Sequence, residues 1–159
     1  MAIQVGDKLP EATLKVMTGE GPKDVTTQEL FGGKKVVLFA VPGAFTPTCS
    51  AKHLPGYVQK AKDIKAKGVD EVVCLSVNDV FVMGAWGEAH GAGDLVMAAD
   101  PGGDLTRALG LEFDLSAAGL GLRSQRYAAV VDDGTVSLLN VEKGGKLETS
   151  DAETILAAL

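Results

Sequence analysis

The sequence has few cysteines, no excess of basic residues and no long apolar run. Cys49 and Cys74 are the only cysteines among 159 residues, too few for the disulfide framework of a small secreted protein. Fifteen basic residues against 21 acidic ones give a formal charge of −6, which argues against nucleic acid as a partner. No apolar run approaches the roughly 20 residues of a membrane-spanning helix, so no membrane partner is expected.

The sequence also lacks targeting and cofactor motifs. Residues 1–16, MAIQVGDKLPEATLKV, have neither the apolar core of a signal peptide nor the composition of a transit peptide, which predicts a cytoplasmic protein. A mature organellar form that has lost its targeting segment fits the same pattern. No glycine-rich nucleotide motif and no metal-ligand spacing is present, so we expect no cofactor and no metal. The length and the 46% hydrophobic content predict one domain, residues 1–159.

Positive charge is concentrated in one part of the chain. Residues 34–67 contain seven lysines and one acid, Asp63, a net charge of 7 − 1 = +6. A solvated helix face explains this run. The alternative is an electropositive neighbourhood around Cys49, which would favour a thiolate and attract anionic partners.

Two apolar runs of β-forming residues predict buried parallel strands, at 35–41 and 71–77. Between them Val58, Ala61 and Ile64 recur at helical spacing, and Pro55 predicts a kink or a late start of that helix. Strand, helix and strand in this order predict a βαβ unit.

The remaining pattern predicts an α/β protein with a central mixed β-sheet flanked by helices. An Asp-Gly turn predicts an antiparallel hairpin of strands 127–131 and 136–141. Ser150 and Glu153 predict a capping box for a C-terminal helix. The other predicted elements are a helix at 81–90, a strand at 95–99 and a helix at 104–109 capped by Asp104.

The most informative residue is Cys49, which follows the first buried strand. Reactive groups of α/β folds collect at the carboxyl ends of strands. Thr48 is the predicted N-cap, which places Cys49 in the first helical turn, where unpaired N–H groups and the helix dipole favour a thiolate. Thr46 has a hydroxyl that can donate to the sulfur and accept from a substrate.

The run VPGAFTPTCS at 41–50 resembles the peroxidatic signature P-x-x-x-T-x-x-C of the peroxiredoxins. The residues of this run are similar to those of the type II, peroxiredoxin-five-like subfamily, and of its plant and algal members in particular. The resemblance continues over nearly the whole chain, at 53–57, 73–79, 82–87, 119–127 and 140–142.

This resemblance implies a thioredoxin-like fold and a thiol peroxidase that reduces hydrogen peroxide and alkyl hydroperoxides. It implies that Cys49 is the peroxidatic cysteine, that Pro42 shields it and that Thr46 and Arg126 complete the active site. Arg126 precedes the aromatic residue of its strand, as the family arginine does, and Arg123 is given a supporting role. An Arg guanidinium suits the site because it stays charged and can contact sulfur and peroxide together.

The sequence departs from many relatives by lacking a resolving cysteine at 146–150. Two interpretations remain open. An external thiol, glutathione with glutaredoxin or thioredoxin directly, reduces the sulfenic acid of Cys49, and Cys74 is a buried structural residue. Alternatively Cys74 is the resolving cysteine, which requires movement of its strand to bring the two sulfurs into bonding geometry.

Histidine and aromatic residues near Cys49 have less specific interpretations. His53 lies about one turn after Cys49 and either packs at the surface or against a helix, or tunes the thiolate. Phe45, Phe81 and Trp86 are candidates for core packing or for the contacts of a non-covalent homodimer, which relatives form. A redox-sensing module using the same cysteine is the alternative function, and a binding or chaperone module is a third.

Overall fold

The computed structural model describes residues 2–159 and contains a seven-stranded sheet in the order β2-β1-β5-β4-β3-β8-β9. A second sheet pairs β6 with β7. The elements are β1 (Thr13–Thr18), β2 (Gly21–Thr26), α1 (Thr27–Phe31), β3 (Lys35–Ala40), α2 (Leu54–Lys65), β4 (Glu71–Ser76), α3 (Val80–Ala89), β5 (Val96–Ala99), α4 (Asp104–Ala108), β6 (Glu112–Leu115), β7 (Gly121–Ser124), β8 (Tyr127–Asp132), β9 (Thr135–Val141) and α5 (Ala152–Ala158).

The centre of the sheet is the predicted βαβ unit. Strands β3 and β4 pair in parallel, with Leu38 opposite Val73, and every residue of each strand after the first is buried. Their continuous apolar sequence suits strands covered on both faces. The connecting helix α2 begins at Leu54, but helical backbone already starts at Pro47 and runs without a break through a π-helical turn at Cys49–His53, so the prediction of a late start at Pro55 is wrong.

The predicted hairpin is confirmed and sets the position of the site. Strand β8 pairs antiparallel with β3, with Tyr127 opposite Ala40, and β9 pairs antiparallel with β8, with Val141 opposite Tyr127. The turn residue Asp133 has a positive φ of 48°, which the Asp-Gly turn requires. The end of β3, the start of β8 and the end of β9 therefore meet at one edge of the sheet.

Helices cover both faces of this mixed sheet, which confirms the predicted fold class. One buried cluster packs residues of α2, α3 and α5 against the sheet and includes Cys49 and Cys74. The other packs α1 and α4 against the opposite face. No helix within residues 2–159 has the length and apolar character needed to cross a membrane.

The predicted caps of α4 and α5 are wrong. Gly103, not Asp104, precedes α4, and the buried carboxylate of Asp100 accepts from the first N–H groups of that helix. Asp104 instead forms an ion pair with Arg107. Asp151 rather than Ser150 precedes α5. At α4 the earlier residue Asp100 accepts from the helix N–H groups, and at α5 the Ser150 hydroxyl donates to the earlier residue Glu142 instead of capping the helix. A local motif reveals neither contact.

Several elements were not predicted from the sequence: α1, the edge hairpin β1–β2 and the small sheet β6–β7. Strand β2, GPKDVT, is mostly exposed and contains a proline, so it lacks the apolar alternation of a strand. The four residues of β6 and of β7 are too short to give a period. Edge and short strands form here through pairing with neighbours rather than through their own pattern.

Candidate active site

Cys49 lies in the first turn of a helix that begins earlier than expected. Thr48 has helical backbone angles (φ −69°, ψ −37°) and makes no capping hydrogen bond, so its prediction as N-cap is wrong. The N–H of Ser50 donates to the carbonyl of Thr46, and the helix starts at Pro47. Proline is favoured at a first helical position because its missing N–H has no role there. The prediction of Cys49 in the first turn is confirmed.

The turn from Cys49 to His53 is π-helical before it continues as α2. The N–H of Leu54 donates to the carbonyl of Cys49, five residues earlier. Such turns are rare in proteins overall, and many of those that occur lie at functional sites. The two ends of this turn, Cys49 and His53, are both buried and point into the same region of the molecule.

The loop between β3 and this helix is held by hydrogen bonds to its backbone. Thr46 Oγ1 donates to the carbonyl of Gly43 at 2.6 Å, and the N–H of Ala44 donates to Asn78 Oδ1 at 3.0 Å. Phe45 has a positive φ of 63°, an uncommon conformation for a bulky residue. The single hydroxyl proton of Thr46 is thus directed to the backbone, and its lone pairs remain as acceptors.

Arg126 contacts the sulfur of Cys49. Its Nη2 donates to Cys49 Sγ at 3.2 Å, and both side chains are buried. The sheet explains this meeting: Arg126 immediately precedes β8, whose first residue lies opposite the last residue of β3. The sequence placed Arg126 in the site only through the family resemblance, because 77 residues separate the two side chains.

His53 is buried rather than exposed, so a surface position is wrong, and it contacts Arg126. Its Nδ1 lies 2.8 Å from Arg126 Nη1, and its Nε2 lies 3.0 Å from the carbonyl oxygen of Ser150. Burial and the positive charge of Arg126 lower the pKa of His53 to about 3. The ring is therefore neutral at physiological pH, with Nε2 donating to Ser150 and Nδ1 accepting from Arg126. The spacing of four residues from Cys49 is the sequence signal for this placement.

Arg123 lies against the loop instead of the sulfur. It is half-buried, its Nε donates to the carbonyl of Leu120 at 2.9 Å, and its Nη1 lies 3.5 Å from the carbonyl of Pro42. Pro42 itself is buried. The two arginines therefore act at different places, Arg126 at Cys49 and Arg123 at the loop that precedes it.

Cys74 belongs to the same buried cluster as Cys49, and both are free thiols. Cys74 lies in the middle of β4, between Phe39 of β3 and Met97 of β5, and is fully buried. Burial, together with the neighbouring charge of Cys49, raises the pKa of the Cys74 thiol well above its ordinary value. This thiol is held protonated inside the sheet.

The three aromatic residues divide between surface and core. Phe45 and Phe81 are 55% and 65% exposed. Trp86 is fully buried and donates from Nε1 to Ser50 Oγ at 2.9 Å, so it packs behind the active-site turn rather than offering a surface contact. Within residues 2–159, no group of three or more His, Cys, Asp and Glu side chains is arranged to hold a metal ion.

Comparisons with known proteins identify the family of this chain. The Redoxin family model matches residues 4–156. The chain is 57% identical to Peroxiredoxin-2E-2, chloroplastic, of Oryza sativa subsp. japonica, over 99% of this chain and 72% of that protein. It is 49% identical to Peroxiredoxin-2B of Arabidopsis thaliana, over 99% and 98% of the two chains.

A solved structure has a comparable sequence identity to this chain. Reduced Prx3 of Vibrio vulnificus in complex with hydrogen peroxide superposes with a TM-score of 0.95 at 58% identity, covering 98% of both chains. These relatives favour a peroxidase over a redox-sensing module. The chain belongs to the Redoxin family and, within it, to the type II peroxiredoxins, which are thiol-dependent peroxidases.

Proposed function

We propose that the single domain 1–159 reduces hydrogen peroxide and alkyl hydroperoxides through Cys49. The observation that carries this assignment is the 3.2 Å contact of Arg126 Nη2 with Cys49 Sγ in the first turn of a helix. A guanidinium and helix N–H groups stabilise a thiolate and the charge that develops on the departing oxygen. Among the described residues 2–159, a guanidinium donates to Cys49 and none donates to Cys74.

The reaction is a two-electron oxidation of sulfur. The Cys49 thiolate attacks one peroxide oxygen, so an S–O bond forms while the O–O bond breaks. The departing oxygen takes the bonding electron pair and a proton and leaves as water or an alcohol. Cys49 becomes a sulfenic acid, the first and reversible oxidation state of the thiol.

The neighbouring residues have separate roles in this proposal. Thr46 accepts a hydrogen bond from the peroxide O–H, because its own proton is directed to Gly43. Pro42 shields the sulfur from water. Arg123 supports the site by holding the Pro42 carbonyl. Arg126 contacts the sulfur and the peroxide together.

The sulfenic acid is reduced by an external thiol, either glutathione with glutaredoxin or thioredoxin. A first thiol condenses with Cys49 to a disulfide and releases water, and a second thiol displaces the reduced enzyme. The burial and the raised pKa of Cys74 support this route over internal resolution, since the thiolate is the attacking species in disulfide formation.

The decisive experiment measures hydrogen peroxide consumption with each reductant system supplied separately. We expect turnover by the wild type and by Cys74→Ser, and none by Cys49→Ser. The reductant that supports turnover identifies the partner. Loss of turnover in Cys74→Ser while Cys49 still oxidises would contradict external reduction, and turnover by Cys49→Ser would contradict the whole assignment.

The protein also forms a non-covalent homodimer in this proposal. The exposed aromatic rings of Phe45, within the active-site loop, and of Phe81, at the start of α3, supply the anchors. Sedimentation velocity over a range of concentrations tests this. We expect a dimer mass for the wild type and a monomer mass for Phe81→Ser, whereas a concentration-independent monomer for the wild type would overturn the proposal.

The proposed location is the cytoplasm, with an organelle as the alternative. The rice relative is chloroplastic, and the chain covers 72% of its length. Imaging of the full-length gene product with a C-terminal tag distinguishes the two: diffuse cytoplasmic signal is expected, and signal confined to an organelle would replace the proposal with import.

A further inference from the structure

The carboxylate of Glu142, directly after β9, holds a distant backbone segment in place. Its Oε2 accepts from the N–H groups of Glu148, Thr149 and Ser150 at 2.8, 2.9 and 2.8 Å, and from Ser150 Oγ at 2.7 Å. The residue is 5% exposed. Within residues 2–159, no Lys, Arg or His side chain forms an ion pair with it. A buried charge so completely surrounded by backbone donors fixes the path of the segment 148–150.

Hydrogen bonding also determines the charge state of Glu142. Burial opposes ionisation, but the hydrogen bonds from Ser150, Thr149 and Glu148 outweigh it and lower the pKa of Glu142 to about 2. The group is therefore a carboxylate at physiological pH.

The segment held by Glu142 presents one carbonyl to the active-site helix. The oxygen of Ser150 accepts from His53 Nε2 at 3.0 Å and from Tyr57 Oη at 2.7 Å, and all three residues are buried. Tyr57 in turn stacks on Phe39 with ring centroids 3.9 Å apart. The carbonyl therefore selects the His53 tautomer with a proton on Nε2 and leaves Nδ1 as an acceptor.

That acceptor is what holds the guanidinium of Arg126. Nη1 of Arg126 donates to His53 Nδ1 at 2.8 Å and Nη2 donates to Cys49 Sγ at 3.2 Å, while Nε has no hydrogen-bond partner among residues 2–159. No carboxylate pairs with this arginine in that part of the chain. Its orientation toward the sulfur thus depends on His53.

Glu142 also holds the other end of Arg126. The N–H of Glu142 donates to the carbonyl of Arg126 at 2.8 Å, continuing the pairing of β8 with β9. Glu142 is therefore linked directly to the backbone of Arg126, and it is linked to the guanidinium of Arg126 through Ser150 and His53.

We propose that Glu142 is a positioning residue for the peroxide reaction, acting through the Ser150 carbonyl and His53 to hold Arg126 against the Cys49 sulfur. The inference rests on the proposed roles of Cys49 and Arg126. Loss of Glu142 releases the segment 148–150, frees the His53 ring to rotate or change tautomer, and lets the guanidinium leave the sulfur.

The test is a double-mutant cycle on the rate constant for oxidation of Cys49 by hydrogen peroxide. We expect Glu142→Ala to lower it by about 10- to 100-fold, since misplacement of a catalytic group by about 1 Å can cost 10²-fold. In an Arg126→Ala background the same substitution should cost less than about twofold, because the residues act as a unit. Glu153→Ala, which removes an exposed carboxylate three residues beyond that segment, is the control and should react at the wild-type rate.

A spectroscopic readout separates positioning from general loosening of the fold. The ¹⁵N chemical shifts of His53 should report the Nε2-protonated tautomer in the wild type and in Glu153→Ala, and a mixture in Glu142→Ala. If Glu142→Ala does not fold, the cycle is run with Glu142→Gln, which keeps the shape and removes the charged acceptor, and it decides the matter in the same way.

Three results would overturn the proposal: a wild-type rate in the Glu142 variant, an additive loss in the Arg126→Ala background, or an unchanged His53 tautomer. Failure of the proposed function would be seen differently: the wild type would not consume peroxide, or Cys49→Ser would consume it.

Discussion

The two cysteines share one hydrophobic cluster and the same complete burial, yet their surroundings differ in the feature that matters for chemistry. Cys49 lies at a helix start with a guanidinium nitrogen 3.2 Å from its sulfur. Cys74 lies mid-strand between two neighbouring strands, and burial raises the pKa of its thiol. Burial by itself therefore suppresses a thiolate, and a buried cysteine becomes reactive only where fixed donors compensate.

Removing the guanidinium should make Cys49 resemble Cys74. We expect Arg126→Ala to lower the rate of Cys49 oxidation by hydrogen peroxide by about 10²- to 10³-fold, the range found when one charge-stabilising donor is lost. Stopped-flow measurement of the first oxidation step gives this rate. Arg107→Ala, which removes an exposed arginine of α4, is the control and should match the wild type. A rate within about threefold of wild type for Arg126→Ala would mean that the guanidinium does not distinguish the two cysteines.

Cys49 follows a loop, whereas Cys74 lies within a strand. Substitution of Thr46 tests whether that loop contributes to the reactivity of Cys49. Thr46→Val removes the hydroxyl that donates to the Gly43 carbonyl and that, in the proposed reaction, accepts from the peroxide, and we expect a loss of about 10²-fold in kcat/KM for hydrogen peroxide. Thr48→Val is the matched control, because that half-buried hydroxyl makes no capping hydrogen bond. Equal activity of the two variants would remove Thr46 from the site.

The neutral state of His53 predicts how the Cys49 region responds to acid. The pKa of His53 falls from 6.5 to about 3 on folding, so the unfolded chain takes up a proton that the folded chain refuses. This contribution to stability is complete above pH 6.5 and is lost progressively as pH falls toward 3. In His53→Gln it is absent, so the difference in free energy of unfolding between wild type and variant should shrink by up to about 1.4 kcal/mol per pH unit below pH 6.5.

Denaturant unfolding at pH 7, 6 and 5 measures this difference. His90→Gln is the control, since His90 is half-buried and its ring lies against Trp86. A difference for His53→Gln that stays constant from pH 7 to pH 5 would contradict a histidine held neutral by burial.

The smallest effect is expected at Cys74. Cys74→Ala should leave peroxide turnover within about twofold of wild type and lower the free energy of unfolding by about 1 kcal/mol, because only a small buried side chain is lost. Turnover assays and denaturant unfolding measure the two quantities. Loss of turnover with little loss of stability would show that Cys74 takes part in the catalytic cycle. It would contradict the proposal that Cys49 alone is reactive.

Local patterns predicted the elements that carry a clear apolar run, a helical apolar spacing or a turn motif. The runs of β3 and β4, the hairpin of β8 and β9 and the helices α2 and α3 were predicted within one or two residues, apart from the start of α2, because their apolar periods reflect burial directly. The exposed β2 and the short β6 and β7 were missed, since pairing with neighbours stabilises them more than their own composition does.

The sequence alone determined that a buried strand ends in a loop and that Cys49 enters the first turn of the following helix, because these features depend on residues close together in the chain. The tertiary structure decided which side chains meet that sulfur. Antiparallel pairing of β8 with β3 brings Arg126 to Cys49, and the return of the segment 148–150 to Glu142 places the Ser150 carbonyl on His53. Contacts between residues 77 to 97 positions apart arise from strand order and register, which no local pattern encodes.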